Sequence, residues 1–370
     1  MNQRFTALDS FRGICAIAIV VFHTRIVGSI TEWEFFRNSS VLVEFFFVLS
    51  GFVMAHVTMK KDKVFFKEFM ASRAYRLYPL HIFMLLVFIV FEFGKLAAVK
   101  FAGFDFNTVP FTAERGIAEL IPNALLVHSW TNLTLSGSFN YTSWSISVEM
   151  LLYLVIFFTC LAGKNRKIFW VAVPILAVVF RDILPSGVYR GLTCFFLGAL
   201  TYVAYLRGIR FPERPLLASI LEVSIVVASV CIVSSGVENS GEIATALFAV
   251  TVWVFAHEKG VVSRLLRLPA FTYLGTCSYS IYLTHSAVLF VAISAAQVAD
   301  KILKTGVNTQ IDGTQFLDLG SLLANNAALG LIVCIVIAIS SITYRFIEKP
   351  GIEVGRMRAK AFKDRELKTA

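Results

Sequence analysis

The chain has 370 residues, 57% of them apolar and 16% charged, with a mean hydropathy of +0.73. A soluble domain carries about 25% charge, so this composition excludes one. The net charge of +10 alone would admit a nucleic-acid binder, but the basic residues fall in loops between apolar runs, a membrane pattern, and no nucleic-acid partner is expected.

Apolar runs of about 17–25 residues recur, long enough to cross a hydrocarbon core as helices. They are too long and too uniformly apolar for barrel strands, and an open sheet leaves backbone groups unsatisfied in lipid. The expected fold is an all-α, polytopic membrane helical bundle of about ten transmembrane helices. Spans are expected near 10–27, 41–58, 78–98, 145–162, 168–184, 188–206, 216–235, 242–256, 271–297 and 321–345. The apolar stretch 117–130 is too short to span and is read as a re-entrant or interfacial helix. With the N-terminus inside, 23 Lys and Arg fall in inner segments and five in outer ones, which puts both termini in the cytoplasm. Residues 1–347 form the expected membrane domain and 348–370 a basic cytoplasmic tail. The six cysteines lie in apolar runs without a Cys-x-x-Cys and read as packing residues.

The first span opens with Asp9 and Arg12 and holds His23 near its far end. No small-x-small cleavage site follows it, so it reads as a retained helix rather than a signal peptide. Arg12 and His23 are eleven residues apart, which places them on one helix face about 16 Å apart along the axis. Arg12 is either an anchor that snorkels to headgroups or a group facing a wet interior; His23 is either a satisfied interior histidine or a reacting one. In the second span, Ser50-Gly51 suits close helix contact, and Glu44 near its outer end is placed to pair with a cation. Arg73 and Arg76 stand one turn apart at the cytoplasmic entrance of the third span. Lysines nearby already supply a topology anchor, so two guanidiniums there favour phosphate recognition.

The outer connection 99–144 is the natural place for an acceptor to be recognised. "SWSISVE" follows it, with Ser143 as a helix cap, Trp144 in the aromatic belt, and Glu149 inside the span near the outer leaflet. A carboxylate there needs a partner, and His23 is expected at similar depth. The ninth span carries Tyr282 and His285, placed either to line a polar cavity or to bond between helices. Walker, dinucleotide, Gly-x-Ser-x-Gly and His-Glu-x-x-His motifs are absent, and no metal is expected.

Together, Arg12-x10-His23, Arg73-x-x-Arg76, "FFFVLSGF" and "SWSISVE" resemble the acyltransferase family 3 membrane enzymes, which O-acylate surface polysaccharides, lipopolysaccharide and other sugars. The residues before "FFFVLSGF" read "SSVLVE" and lack the glycine often found there. The resemblance implies acetyl- or another acyl-coenzyme A as donor substrate, with no permanently bound cofactor. It implies Arg12, Arg73 and Arg76 near the donor and His23 as catalytic. Glu149 is expected to orient His23, and Asp9, Glu44, Ser143, Trp144, Tyr282 and His285 to meet a glycan or lipid-linked sugar acceptor. The expected location is a bacterial inner membrane, in contact with lipid. The rival function class is a transporter or flippase of a lipid-linked sugar, which also needs intramembrane polar groups.

Overall fold

The computed structural model describes residues 4–61, 63–103, 106, 109–133, 138–208, 211–236, 240–304, 306–311 and 314–369. Residues 134–137 of the polar stretch before Ser143 lie outside these. In chain order the helices are α1 (Thr6–His23), the short α2 (Glu34–Arg37), α3 (Leu42–Met59), α4 (Phe66–Ala102), α5 (Leu120–Ala124), α6 (Trp144–Cys160), α7 (Arg166–Val179), α8 (Ser186–Leu206), α9 (Pro215–Ser234), α10 (Ser240–Phe255), α11 (Val261–Leu266) and α12 (Pro269–Leu303). A two-stranded antiparallel ribbon of β1 (Asn308–Ile311) and β2 (Thr314–Leu317) follows, then α13 (Leu322–Thr343), a π-helical turn at Tyr344–Glu348, and α14 (Lys349–Thr369).

Among the described residues, eight helical stretches are long and apolar enough to cross a membrane: α1, α3, α4, α6, α8, α9, α12, and α13 continued into α14. The expected spans at 168–184 and 242–256 form α7 and α10, of 14 and 16 residues. Helices of that length rise roughly 21 and 24 Å, short of a hydrocarbon core of about 30 Å. The chain is a helical integral membrane protein.

The fold divides into two compact units, Met1–Phe52 with Thr201–Ile342 and Val53–Leu200 with Thr343–Ala370. In the first, α1 and α12 lie against each other backbone to backbone. A Cβ on Gly13 would sit 2.5 Å from the Gly275 nitrogen, and one on Gly275 would collide with the Asp9 carbonyl. Only glycine admits this approach. Glu258 caps α1 by accepting from the Ala7 amide at 2.7 Å, and Ser10 Oγ donates to the Leu266 carbonyl at 2.6 Å. The first answers a backbone donor that the start of α1 leaves open, and the second a carbonyl that the end of α11 leaves open. The ribbon, absent from the sequence expectation, docks through the Val27 amide, which donates to Leu317 at 3.0 Å.

In the second unit, α4 runs 37 residues, with Pro79 inside it. Proline there removes one backbone bond, to the carbonyl four residues earlier, Tyr75. α14 meets α4 at that place. A Cβ on Gly351 would lie 2.9 Å from the Tyr75 oxygen, and Gly351, Gly355 and Ala359 form its buried stripe. The segment expected as a basic tail is therefore a docked helix with its basic residues outward. Further along α4, Leu86, Val90 and Phe93 are exposed, as lipid-facing residues should be. Glu92 and Lys95 are buried as an ion pair at 3.1 Å that Arg115 joins at 3.3 Å. The Phe111 amide also donates to Glu92 at 3.0 Å, tying the following loop to the helix.

The stretch 117–130 is not the continuous helix expected. It is a 3-10 turn, the five-residue α5 and irregular backbone in which Leu126 has φ +57°. Turn bonds such as the Val127 amide to the Pro122 carbonyl at 2.9 Å satisfy part of its backbone, and contacts with Ser147 of α6 fix the rest in place. Ser147 Oγ donates to Leu126, the Ser129 amide donates to Ser147 Oγ, and Trp130 Nε1 donates to the Ser147 carbonyl.

Candidate active site

The first unit gathers its polar residues along α1 and α12. At the start of α1, Asp9 accepts from Arg4 Nε at 2.8 Å and lies 3.9 Å from Arg12 Nη1. Arg12 is half-buried, and the i, i+3 spacing anticipated its pairing with Asp9. At the other end, the His23 ring lies 5.4 Å from that of His285, centroid to centroid, with 25° between planes. Tyr282 flanks His285 at 6.0 Å and Phe46 at 6.0 Å. His285 Nδ1 is 3.2 Å from the Ile281 carbonyl, and Thr284 meets Ser340 of α13 at 2.9 Å. The structure thus brings together three residues expected in two separate spans: His23, Tyr282 and His285. Glu44 is buried in the first turn of α3, where a carboxylate is favoured by the helix dipole.

The second unit carries its own cluster. Arg73 and Arg76 sit within α4 rather than before it. The Arg73 guanidinium lies 5.8 Å from the Tyr153 ring centroid and 5.5 Å from that of Phe69. Its Nε is buried with no hydrogen-bond partner among the described residues. The Tyr153 hydroxyl donates to Glu149; Arg73 is in electrostatic range of both, and Arg76 of the tyrosine. This corrects the expected separation of Glu149 near one leaflet from the arginine pair near the other: a single α6 face links them. Tyr153 itself was missed, although a Glu-to-Tyr spacing of four residues is a readable signal. The expected pairing of His23 with Glu149 joins residues of different units, and within its own unit Glu149 is held by Tyr153.

Ser143 is also corrected. It stands at the start of α6 but makes no capping bond with its side chain. Its hydroxyl donates to the Asn140 carbonyl at 2.8 Å and faces His128 Nε2 at 3.1 Å. With its proton on Asn140, the Ser143 oxygen accepts from His128. Burial and the neighbouring His81 push the His128 imidazole down to about 4. Trp144 packs on Gly187 and lies under the Arg190 guanidinium at 5.5 Å. No sequence signal joined Arg190 to Trp144. Among the described residues, no group of three or more His, Cys, Asp or Glu side chains is gathered to hold a metal ion.

An apolar helical protein with histidines paired between two spans and a half-buried arginine beside a carboxylate has the outline of a membrane enzyme. The model of the family described as "Acyltransferase domain" matches residues 5–345, and the chain belongs to that family. Over 193 residues it is 30% identical to "Acyltransferase MdmB" of Streptomyces mycarofaciens, covering 48% of this chain and 45% of that one. Over 90 residues it is 37% identical to "Protein 2 in picA locus" of Rhizobium radiobacter, covering 22% of this chain and 43% of that one. The chain thus spans less than half the length of the curated relatives it matches. No solved structure matches it.

Proposed function

We propose that the protein is a membrane O-acyltransferase. In this reading it moves an acetyl or other short acyl group from cytoplasmic acyl-coenzyme A to a hydroxyl of a surface polysaccharide or glycolipid sugar, in a bacterial inner membrane. Family membership supports acyl transfer, and the observation that carries the mechanism is the His23 imidazole set beside His285 at the end of α1.

Arg12, Arg73 and Arg76 hold the anionic donor; the unsatisfied Arg73 Nε is a donor waiting for an acceptor such as a phosphate oxygen. His23 takes the acceptor's hydroxyl proton as that oxygen attacks the thioester carbonyl. The new C–O bond forms, the C–S bond breaks, and the proton on His23 passes to the coenzyme A thiolate. In this scheme Glu149, bonded to Tyr153 beside Arg73, serves the donor end, and Asp9, Glu44, Ser143, Trp144 and Tyr282 contribute to acceptor binding. An acyl-histidine is the rival route and leaves labelled enzyme in the absence of acceptor.

The test is transfer of radiolabelled acetyl from acetyl-coenzyme A by membranes carrying the protein, with and without a glycan acceptor. Label should appear in glycan, and His23→Ala should lower the rate at least about a hundredfold while the protein still binds donor. Acceptor movement across the membrane without any labelled product sinks the enzyme reading and supports the transporter class.

A further inference from the structure

His285 has no step in the mechanism above, yet its geometry is specified on several sides. The residue is 0% exposed. A carbonyl oxygen only accepts, so the contact from Nδ1 to the Ile281 carbonyl at 3.2 Å places the proton on Nδ1. The lone pair of the neutral ring is then on Nε2. The His23 ring is 5.4 Å away at 25°, a separation that a single bridging oxygen spans.

The approach of these rings is built into the helices. α1 and α12 run parallel from their contact at Gly13 and Gly275, and each histidine stands ten residues beyond its own glycine. Equal counts on parallel helices give equal rise, about 15 Å, so the two imidazoles arrive at one depth. The bond between Thr284 and Ser340 holds the same turn of α12 from a third helix.

We propose that His285 is the positioning residue for His23. Its Nε2 takes up the N–H of His23 through one bridging water, and so selects which His23 nitrogen carries the reactive lone pair. It also stabilises the imidazolium formed when His23 takes the hydroxyl proton. This is the part a buried carboxylate plays in serine hydrolases, filled by a neutral ring that adds no second buried charge to a membrane interior. The inference rests on the acyl-transfer reading and deepens it. If His285 only fills space between α1 and α12, any side chain of similar volume serves as well.

Purified full-length protein in lipid nanodiscs tests this with His285→Phe, which keeps bulk and loses the acceptor, and His285→Gln, whose amide oxygen reaches the position of Nε2. The Phe variant should lower kcat about 30-fold with donor KM within about twofold. The Gln variant should recover to within about fivefold of the parent, and both should melt near it. Equal kcat in the two variants, or losses that track melting temperature, overturn the proposal. Nitrogen-15 histidine spectra give a readout independent of turnover. They should show Nδ1–H at His285 in the parent, and a His23 tautomer kept in His285→Gln and changed in His285→Phe. A His23 tautomer indifferent to residue 285 removes the positioning role. If neither variant folds, the parent spectrum decides, because an Nε2–H tautomer at His285 contradicts the proposal. Failure of the parent to transfer any acyl group sinks the acyl-transfer reading, while the tautomer spectra still settle the pairing.

Discussion

Arg73 combines a planar cation, two aromatic faces and a buried Nε without a partner among the described residues. Its Nε was desolvated on folding and is not repaid within the protein, which is the state of a group that waits for an anion. Arg73→Ala should weaken acyl-coenzyme A binding about 10- to 100-fold, measured by equilibrium binding of a non-hydrolysable thioether analogue. Arg73→Lys should recover little, since an ammonium cannot reproduce the guanidinium fork. Unchanged donor affinity in both would leave Arg73 an anchor. His128 gives a prediction of a different kind. Its folded value of about 4 lies below the unfolded 6.5, so the unfolded chain binds its proton first as pH falls. The stability it contributes is whole above about pH 6.5 and declines toward pH 4, by roughly 3 kcal/mol at most. Thermal unfolding in detergent across that range should show the decline, and His128→Gln should flatten it. The sequence made Arg12 and His23 legible because eleven residues is close to three turns. It could not show His285 beside His23, because 262 residues separate them and no local pattern encodes their contact.

Among the helices, α1 and α12 offer the sharpest test. Gly275→Ala adds one carbon where the Asp9 carbonyl already stands, and backbone cannot yield as a flexible side chain does. Overpacking of this kind costs about 1–3 kcal/mol, so the melting temperature should fall, and activity should fall further as the histidines separate. Gly330 has open space around its Cβ position, and Gly330→Ala should be nearly silent in the same assay. Helix limits followed the apolar runs to within a few residues for α3, α6, α8 and α9, because hydropathy in lipid is a direct constraint. α4 departed most. Its first twelve residues are mixed in polarity and end near Pro79, signals that in water mark a boundary. The helix continues because α14 lays Gly351 and Gly355 against that segment, a contact between residues nearly 280 apart that local composition does not carry.

For the molecule as a whole, the loop charge makes a topological prediction. Reporter domains fused at either end should both read as cytoplasmic, and one fused after Arg115 as external. An external reading at either terminus would reverse the donor and acceptor sides and with them the roles given to Arg12 and His23. The bundle class was readable from composition because lipid leaves few alternatives. The division into two units was not, since each is assembled from segments far apart in the chain.

The glycine contact between α1 and α12 acts as the pivot of a caliper with two arms of ten residues. One residue inserted in either arm would swing its imidazole through about 100° and lift it by about 1.5 Å. Relatives are therefore free to vary the loops in length, but the interval from pivot to ring must stay constant in both arms for the jaws to meet.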